Sequence, residues 1–281
     1  MTSSSGPTQL RSASQNELRS ARRLVRRKER AALGRFLADG PQAVREALAQ
    51  PELVSTLFVG AAAAERHADL VEAAGQGGVL TVAVSDRDLA TLSETVTPQG
   101  LVAICRTLDV PLAAALSGDP RLVVCCAQVR DPGNAGTVIR CADAFGADAV
   151  VLTEGSVDAY NAKTVRASAG SIFHLPLTLG ADLAETLAGC RHRGLQVLAA
   201  DGSGDVDLDG LADSGELAQP TVWLMGNEAW GLPPDQLHLA DRVVRVPIYG
   251  AAESLNLSTA AAVCLYATAS AQHRAATTPA P

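Results

Sequence analysis

Residues 221–260, TVWLMGNEAWGLPPDQLHLADRVVRVPIYGAAESLNLSTA, decide the fold prediction. The apolar run at 221–225 predicts a buried strand, and a second short strand is predicted at 242–247. Small and polar residues follow both strands, and the segment 254–258 (SLNLS) then leads into an alanine-rich helix. Because ligands collect at the carboxyl ends of strands in α/β sheets, we expect a binding site here.

Upstream of this stretch, strand and helix patterns alternate along the chain. Alternation over 35–108 predicts a small α/β domain with its own sheet, and a second α/β series starts with the apolar run at 121–129. The predicted organisation is a basic, partly disordered arm at 1–30, a substrate-binding domain at 31–108, a proline-containing linker at 109–120, a catalytic domain at 121–275 and a disordered tail at 276–281. Within it, helices are expected at about 16–37 and 135–145, and a strand near 172–177.

Composition excludes several classes of protein. The six cysteines show no CxxC spacing and no companion histidine cluster, which predicts reduced, buried thiols and no metal site. No apolar run reaches the roughly 18 residues that a membrane span needs. We also find no signal-peptide pattern and therefore expect a cytoplasmic protein.

Charge is distributed unevenly. The net charge is −7, yet residues 1–30 hold eight basic side chains against two acidic ones. A basic arm on an acidic body favours a polyanionic partner, although a solvated arginine-rich helix would have the same composition. Aromatic residues such as Phe36 and Phe58 form no recognisable reader of single strands. The candidate RNA contacts are Arg22, Arg23, Arg26, Arg27, Lys28 and Arg35, together with Lys163 and Arg166 of a later segment with a small-residue helix end.

A further polar block follows the first strand of the second series. The segment 131–133 (DPG) predicts a turn, Asn134 a helix N-cap, and Arg140 lies two helical turns further on. The spacing Gly133-x-x-Gly136 is not GxGxxG, which excludes a dinucleotide fingerprint. Taken singly, Asn134 could only cap its helix and Arg140 could pair with an acid such as Asp143.

Comparable structural interpretations exist for the other polar residues. Glu228 could be only a turn residue, and Ser254 and Asn256 could only cap the last helix. The functional interpretation depends on the whole set occurring in one order.

That set resembles the SpoU-type (TrmH-type) RNA 2′-O-ribose methyltransferases of the SPOUT superfamily. Three separated blocks carry the resemblance: 131–136 (DPGNAG) with Arg140, then 226–228 (GNE) with 231–232 (GL), then Pro247 with 254–258 (SLNLS). The segment 166–170 (RASAG) also matches the family pattern. Residues 34–40 resemble, more weakly, the start of the family's RNA-binding domain, with Asp39 where many relatives have glutamate.

The resemblance implies a parallel-sheet domain with a deep trefoil knot and a smaller N-terminal α/β domain similar to RNA-binding ribosomal proteins. It also implies a homodimer whose active-site residues are supplied across the interface. S-adenosylmethionine (AdoMet) would be bound in a bent form by the knot loops. The implied cofactor-binding residues are Leu224, Met225, Gly226, Asn227, Gly231, Val246, Pro247, Ile248, Ser254, Leu255, Asn256 and Leu257.

The implied reaction is methyl transfer from AdoMet to a ribose 2′-hydroxyl, without a metal. The implied catalytic residues are Arg140, Asn134, Glu228, Ser254 and Asn256. An arginine pKa above about 12 disfavours Arg140 as a base and favours positioning and electrostatics for it. We expect 23S ribosomal RNA as the substrate, including the possibility of an antibiotic-resistance methylation. Transfer RNA, methylation of a base nitrogen and a non-catalytic RNA-binding or ribosome-assembly role are the alternatives.

Overall fold

The computed structural model describes residues 10–93, 95 and 97–277. The helices are α1 Gln15–Arg23, α2 Arg27–Leu33, α3 Pro41–Leu48, α4 Ala61–Arg66, α5 Ala68–Gln76, α6 Asp86–Ala90, α7 Leu112–Ala115, α8 Pro132–Ala144, α9 Ala162–Ala167, α10 Leu183–His192, α11 Leu208–Asp213, α12 Pro234–Leu237 and α13 Leu257–Thr277. The strands are β1 Arg35–Asp39, β2 Val54–Gly60, β3 Leu80–Val84, β4 Leu101–Arg106, β5 Leu122–Cys126, β6 Ala149–Thr153, β7 Leu177–Ala181, β8 Gln196–Ala200, β9 Val206–Asp207, β10 Thr221–Met225 and β11 Arg242–Arg245. Short 3-10 turns lie at Pro51–Leu53, Ser171–Phe173 and Glu216–Ala218.

Two compact units divide the chain. Unit 1 comprises the chain up to Thr107 together with Tyr160–Gly170, and unit 2 comprises Leu108–Ala159 together with the chain from Ser171 onward. None of the helices within the described ranges is both long and apolar enough to cross a membrane.

Unit 1 contains a four-stranded sheet in the order β1-β4-β2-β3. Strands β1 and β2 run antiparallel to β4, whereas β2 and β3 are parallel. Leu18 and Ala21 of helix α1, with Leu24 that caps its C-terminus, pack with Phe58 and Val82 in one apolar cluster against this sheet. The α/β domain expected from the alternation is therefore present, with a mixed sheet.

The basic segment does not form the predicted arm. The sequence predicts a continuous helix over 16–37, but the helix is interrupted between Arg23 and Arg27. Helix α2 then ends at Leu33, capped by Gly34 with a left-handed φ of 58°, and β1 follows directly. Leu18 and Ala21 of α1 and the following Leu24 belong to the core of unit 1. Arg30 is buried and donates to the carbonyl oxygens of Leu24 (2.8 Å) and Val25 (2.7 Å). The predicted disorder at 1–9 falls outside the described residues.

The segment Tyr160–Gly170 belongs to unit 1, although the sequence boundaries place it in the catalytic region. The Tyr160 and Phe36 rings lie 4.7 Å apart, and Nη1 of Arg166 lies 3.3 Å from the Asp39 carboxylate. Gly170 has a φ of +98°, and a Cβ there would lie 2.3 Å from Cγ of Glu46. Close packing by residues distant in sequence explains why local patterns do not indicate this grouping.

Unit 2 contains a seven-stranded parallel sheet in the order β7-β6-β5-β10-β8-β11-β9. Strand β10, the predicted buried strand, is fully buried between β5 and β8. The parallel sheet predicted for this region is confirmed. The carboxyl ends of β5, β8 and β10 lie side by side, since Cys126, Ala200 and Met225 are in register.

Several predicted boundaries are wrong. Residues 109–120 are not a plain linker, because Val110 donates its N–H to the Leu177 carbonyl (2.8 Å) and Leu116 belongs to the core of unit 2. The strand expected near 172–177 is replaced by the turn at Ser171–Phe173 and by β7, and 246–247 lie beyond β11. Residues 276 and 277 of the predicted tail belong to α13. Residues 278–281 lie outside the described part of the chain.

Candidate active site

The loop after β10 is held tightly. Asn227 and Gly231 exchange two backbone hydrogen bonds of 2.9 Å, and Asn227 Nδ2 donates to the Gln128 carbonyl (2.7 Å). A Cβ on Gly226 would lie 2.5 Å from the Gly231 carbonyl carbon, so only glycine allows this close approach. The loop therefore presents Glu228 in a defined position.

Glu228 is the acceptor at the centre of a polar network. Its carboxylate accepts the backbone N–H groups of Arg130 and Asp131 (both 3.0 Å) and Nδ2 of Asn134 (3.1 Å). Burial raises the pKa of Glu228, but these hydrogen bonds outweigh burial and leave the pKa below its ordinary value. The side chain is therefore a carboxylate at neutral pH.

Asn134 links this carboxylate to the start of the last helix. The structure corrects its predicted capping role, because Asp131 caps α8 and accepts the N–H of Asn134 (2.8 Å). The Asn134 side chain is thus available for other contacts, and its Oδ1 accepts from Nδ2 of Asn256 (3.0 Å). Asn256 also caps α13 by accepting the N–H of Ser258 (2.8 Å). One hydrogen-bonded chain, Glu228–Asn134–Asn256, therefore connects the three sequence blocks.

A pocket of about 270 Å³ lies beside this network. Nine of the predicted cofactor-binding residues line the pocket: Met225, Gly226, Asn227, Gly231, Val246, Ile248, Ser254, Leu255 and Leu257. The pocket lining does not include the other three: Leu224, which is buried in the core of unit 2, Pro247, and Asn256, which contacts Asn134.

The end of β8 forms a part of the pocket that the sequence motifs do not predict. Ala200, Asp201 and Gly202 line the pocket at the end of β8. They could have been found by the rule applied to β10, since small and polar residues also follow this strand. Val244, Glu253, Ala260 and the predicted catalytic residue Glu228 line the pocket as well.

The structure does not bring Arg140 into the network. Its side chain is exposed on α8 and makes no hydrogen bond or ion pair with another described residue. Six residues separate Arg140 from Asn134, which places it about 9 Å along the helix and roughly 120° around it. Asp143, the alternative partner, instead contacts Nδ1 of His174 at 2.8 Å.

The predicted RNA contacts fall into two groups. Arg22, Arg23 and Arg166 are engaged with Asp88, Glu29 and Asp39, respectively. A second group is exposed and forms no ion pair within the described ranges: Arg26, Arg27, Lys28 and Arg35. Lys163 is also exposed. On the β1–β4 pair, Arg35 lies opposite Arg106, a further exposed cation.

The cysteines are free thiols, and five of the six are buried. Burial raises the pKa of Cys126 to about 12, with a further contribution from the nearby Glu228 charge. The described residues contain no group of three or more His, Cys, Asp or Glu side chains that could hold a metal ion.

The parallel sheet of unit 2, with the three sequence blocks brought together at its carboxyl edge, is the arrangement expected of a SpoU-class methyltransferase. The model of the SpoU rRNA Methylase family matches residues 121–266, and that of the MRM3-like substrate binding domain matches 15–103. The chain belongs to the SpoU rRNA methylase family.

Particular relatives cover nearly the whole chain. The 23S rRNA (guanosine(2553)-2′-O)-methyltransferase RlmP of Bacillus subtilis is 33% identical over 258 residues, covering 92% of this chain and 98% of the relative. An AdoMet-bound rRNA methyltransferase from Sinorhizobium meliloti is 29% identical, with a TM-score of 0.78 and coverage of 93% and 97%.

A second solved structure has the same fold. The SpoU methyltransferase AviRb from Streptomyces viridochromogenes, in complex with the cofactor AdoMet, is 27% identical, with a TM-score of 0.78 and coverage of 92% and 98%. Unit 2 therefore has the knotted α/β fold of this family, and the chain carries a separate N-terminal substrate-binding domain.

Proposed function

We propose that this protein transfers the methyl group of AdoMet to a ribose 2′-hydroxyl of 23S ribosomal RNA. The observation that carries the proposal is the Glu228–Asn134–Asn256 chain beside a pocket at the carboxyl ends of β8 and β10. Its support among relatives is RlmP, which is named for this reaction on guanosine 2553 of 23S rRNA. That guanosine is the first position to examine. A role on ribosomal RNA implies a cytoplasmic location.

The residues of the pocket fit AdoMet. Met225, Val246 and Leu257 offer apolar surface to an adenine, while the carboxylates of Asp201 and Glu253 suit a cationic ligand. When bound, AdoMet supplies an electrophilic methyl group on a sulfonium. We assign the ends of β8 and β10 and residues 246–257 to cofactor binding.

The polar chain positions the acceptor. Glu228 already accepts three hydrogen bonds and has a lowered pKa, so it is a weak base at neutral pH and acts by orientation. Asn134 is fixed at both ends of its amide, which sets the direction of its side-chain donor and acceptor. Positioning of this kind can lower a barrier by several kcal/mol, about 7–11 at best. Ser254, on the pocket wall, is placed to contact the amino-acid end of the cofactor.

A second copy of the chain would complete the site. Arg140 lies outside the network of its own chain, on α8, which packs against α13. Helix α13 exposes Tyr266 and Val263, and the Tyr266 ring contacts Phe145 edge-on at 5.6 Å. We infer a homodimer formed through these helices, with Arg140 reaching RNA phosphate or ribose at the partner's pocket.

Unit 1 would hold the RNA. Its exposed cations Arg26, Arg27, Lys28 and Arg35 can neutralise phosphates without reading sequence. Arg106, opposite Arg35, adds to the same positive surface.

The test is methyl transfer from labelled AdoMet to 23S rRNA transcribed in vitro and, separately, to a transfer RNA transcript pool. We expect label in 23S rRNA only, at one linkage that resists alkaline cleavage, and sedimentation as a dimer of twice 28.9 kDa. Label at an alkali-sensitive linkage would indicate base methylation, and label in transfer RNA would reassign the substrate. Cofactor and RNA binding without transfer to RNA or to assembling ribosomal subunits would favour the non-catalytic role.

A further inference from the structure

Trp230 exposes 52% of its surface two residues after Glu228. The chain has only two tryptophans, and the other, Trp223, is fully buried in β10 with its Nε1 donating to Oγ1 of Thr268 (2.9 Å). Phe36 and Phe58, the aromatics considered from sequence, are also fully buried. The exposed tryptophan therefore lies in the loop of the candidate active site.

The loop holds the Trp230 backbone in place. The two hydrogen bonds between Asn227 and Gly231 close the loop on either side of it, and the Ala229 N–H donates to Oδ1 of Asn227 (2.8 Å). A rigid aromatic side chain on a fixed backbone loses little conformational entropy on binding. Such a residue is suited to stacking against a planar ligand.

A cation accompanies the indole ring. Cζ of Arg130 lies 5.7 Å from the centroid of the Trp230 ring, within the range of a cation–π contact. The backbone N–H of Arg130 donates to Glu228, which ties this pair to the polar network. Arginine and tryptophan together offer a planar apolar surface beside a positive charge, the combination that binds an unpaired nucleotide and its phosphate.

We propose that Trp230 and Arg130 form a stacking platform for a nucleobase of the RNA substrate, either that of the methylated nucleotide or its neighbour. The platform makes an unpaired loop or bulge the substrate class, because a base inside a duplex cannot expose its face to the indole. Stacking tolerates any base, so it would select accessibility, while sequence choice comes from elsewhere. This inference rests on the proposed function.

The first test compares Trp230→Ala and Trp230→Phe using the 23S transcript. Loss of base stacking predicts a KM for RNA raised about 5- to 150-fold in Trp230→Ala, with a smaller change in kcat and unchanged AdoMet affinity. Trp230→Phe, which keeps an aromatic face, should retain most of the affinity. A KM within twofold of wild type in Trp230→Ala would overturn the platform.

Fluorescence provides a readout that a merely structural role would not change. Because Trp223 is buried, bound RNA can contact only the Trp230 indole. Stacking of a base on this indole should quench its fluorescence when the transcript is added. The RNA-dependent change should vanish in Trp230→Phe and persist in Leu80→Ala, which alters an exposed apolar residue of unit 1. Persistence of the change in Trp230→Phe would contradict the proposal.

Two further outcomes distinguish the stacking platform from an interface between copies and from the proposed methyl transfer. If Trp230→Ala converts a dimer into a monomer, Trp230 belongs to an interface between copies and the platform is overturned. If wild-type protein shows RNA quenching at Trp230 but transfers no methyl group, the proposed function fails while the platform stands. Arg130→Gln should weaken RNA binding and reduce its dependence on log salt by about 1.

Discussion

The polar residues of unit 2 and the basic residues of unit 1 are held in contrasting ways. Asn134 is hydrogen-bonded at both ends of its side-chain amide, and Glu228 accepts three donors. By contrast, Arg26, Arg27 and Lys28 are exposed and make no ion pair within the described part of unit 1. Methyl transfer needs fixed atoms, whereas phosphate attraction acts at a distance and tolerates mobile side chains. Under the proposed function, unit 2 would therefore act through fixed geometry and unit 1 through charge alone.

The largest expected effect comes from breaking the fixed network at Asn134. Asn134→Ala removes the hydrogen bonds to Glu228 and Asn256 and so breaks the link between them, although Glu228 keeps its two backbone donors. A misplacement of about 1 Å can cost about 100-fold in rate, so we expect kcat to fall by about that factor. AdoMet affinity should change little because Asn134 does not line the pocket. Single-turnover methylation and calorimetric cofactor titration measure the two quantities.

A matched variant sharpens this result. Asn134→Asp keeps the size of the side chain but places a carboxylate against Glu228, and it should be at least as inactive as Asn134→Ala. Thr137→Val, on the same helix, removes only a bond to the Gly133 carbonyl (2.8 Å) and serves as the control. Near-normal kcat in both Asn134 variants would remove this residue from the mechanism.

The core of the fold follows from the sequence because it depends on local patterns. Apolar runs and glycine spacing identify the buried strand β10 and the polar residues at its end, and the resemblance gathers the three blocks. The fate of the basic segment could not be predicted in this way. Leu18, Ala21 and Leu24 become core residues only because a sheet formed by residues 35–106 lies against them.

The candidate site shows the same limit. The sequence predicts that Asn134 caps its helix, yet Asp131 takes that position and releases the Asn134 side chain for the network. Arg140 is expected to act with Asn134, but six residues on a helix place the two on different faces. Trp230 carries no motif, and only its exposure beside Arg130 singles it out.

An intermediate effect, on stability, is expected from Arg166, the cation of unit 1 that is held by a buried carboxylate. The Asp39 side chain is only 4% exposed and is bonded to Ser93 Oγ (2.6 Å) and to Arg166 (3.3 Å). Arg166→Ala would leave this buried carboxylate without its cation, so we expect a loss of about 1–3 kcal/mol in the free energy of unfolding. Urea denaturation would measure it.

The control is an exposed ion pair in the same unit. Arg45 lies 2.9 Å from Asp69, and both side chains are about half exposed, so Arg45→Ala should cost clearly less stability than Arg166→Ala. Adding Asp39→Asn to Arg166→Ala should restore part of the stability by removing the buried charge. Equal losses in the two single variants would show that Arg166 is no more than a surface cation.

The smallest effect per residue is expected from the exposed cations. Replacing Arg26, Arg27 and Lys28 together with glutamine leaves up to three phosphates without a cation. The plot of log affinity against log salt should therefore flatten by about 1 for each phosphate that is no longer neutralised. Arg23→Gln is the matched control, because Arg23 is paired with Glu29 and should contribute less to the slope.

Fluorescence anisotropy with a labelled 23S fragment at about 50–200 mM salt separates these variants, since binding that depends on phosphate neutralisation changes strongly over that range. An unchanged slope in the triple variant would mean that Arg26, Arg27 and Lys28 are only solvent-exposed side chains that do not contact RNA phosphates. The positive surface of unit 1 would then have to be sought at Arg35 and Arg106, which lie opposite each other on β1 and β4.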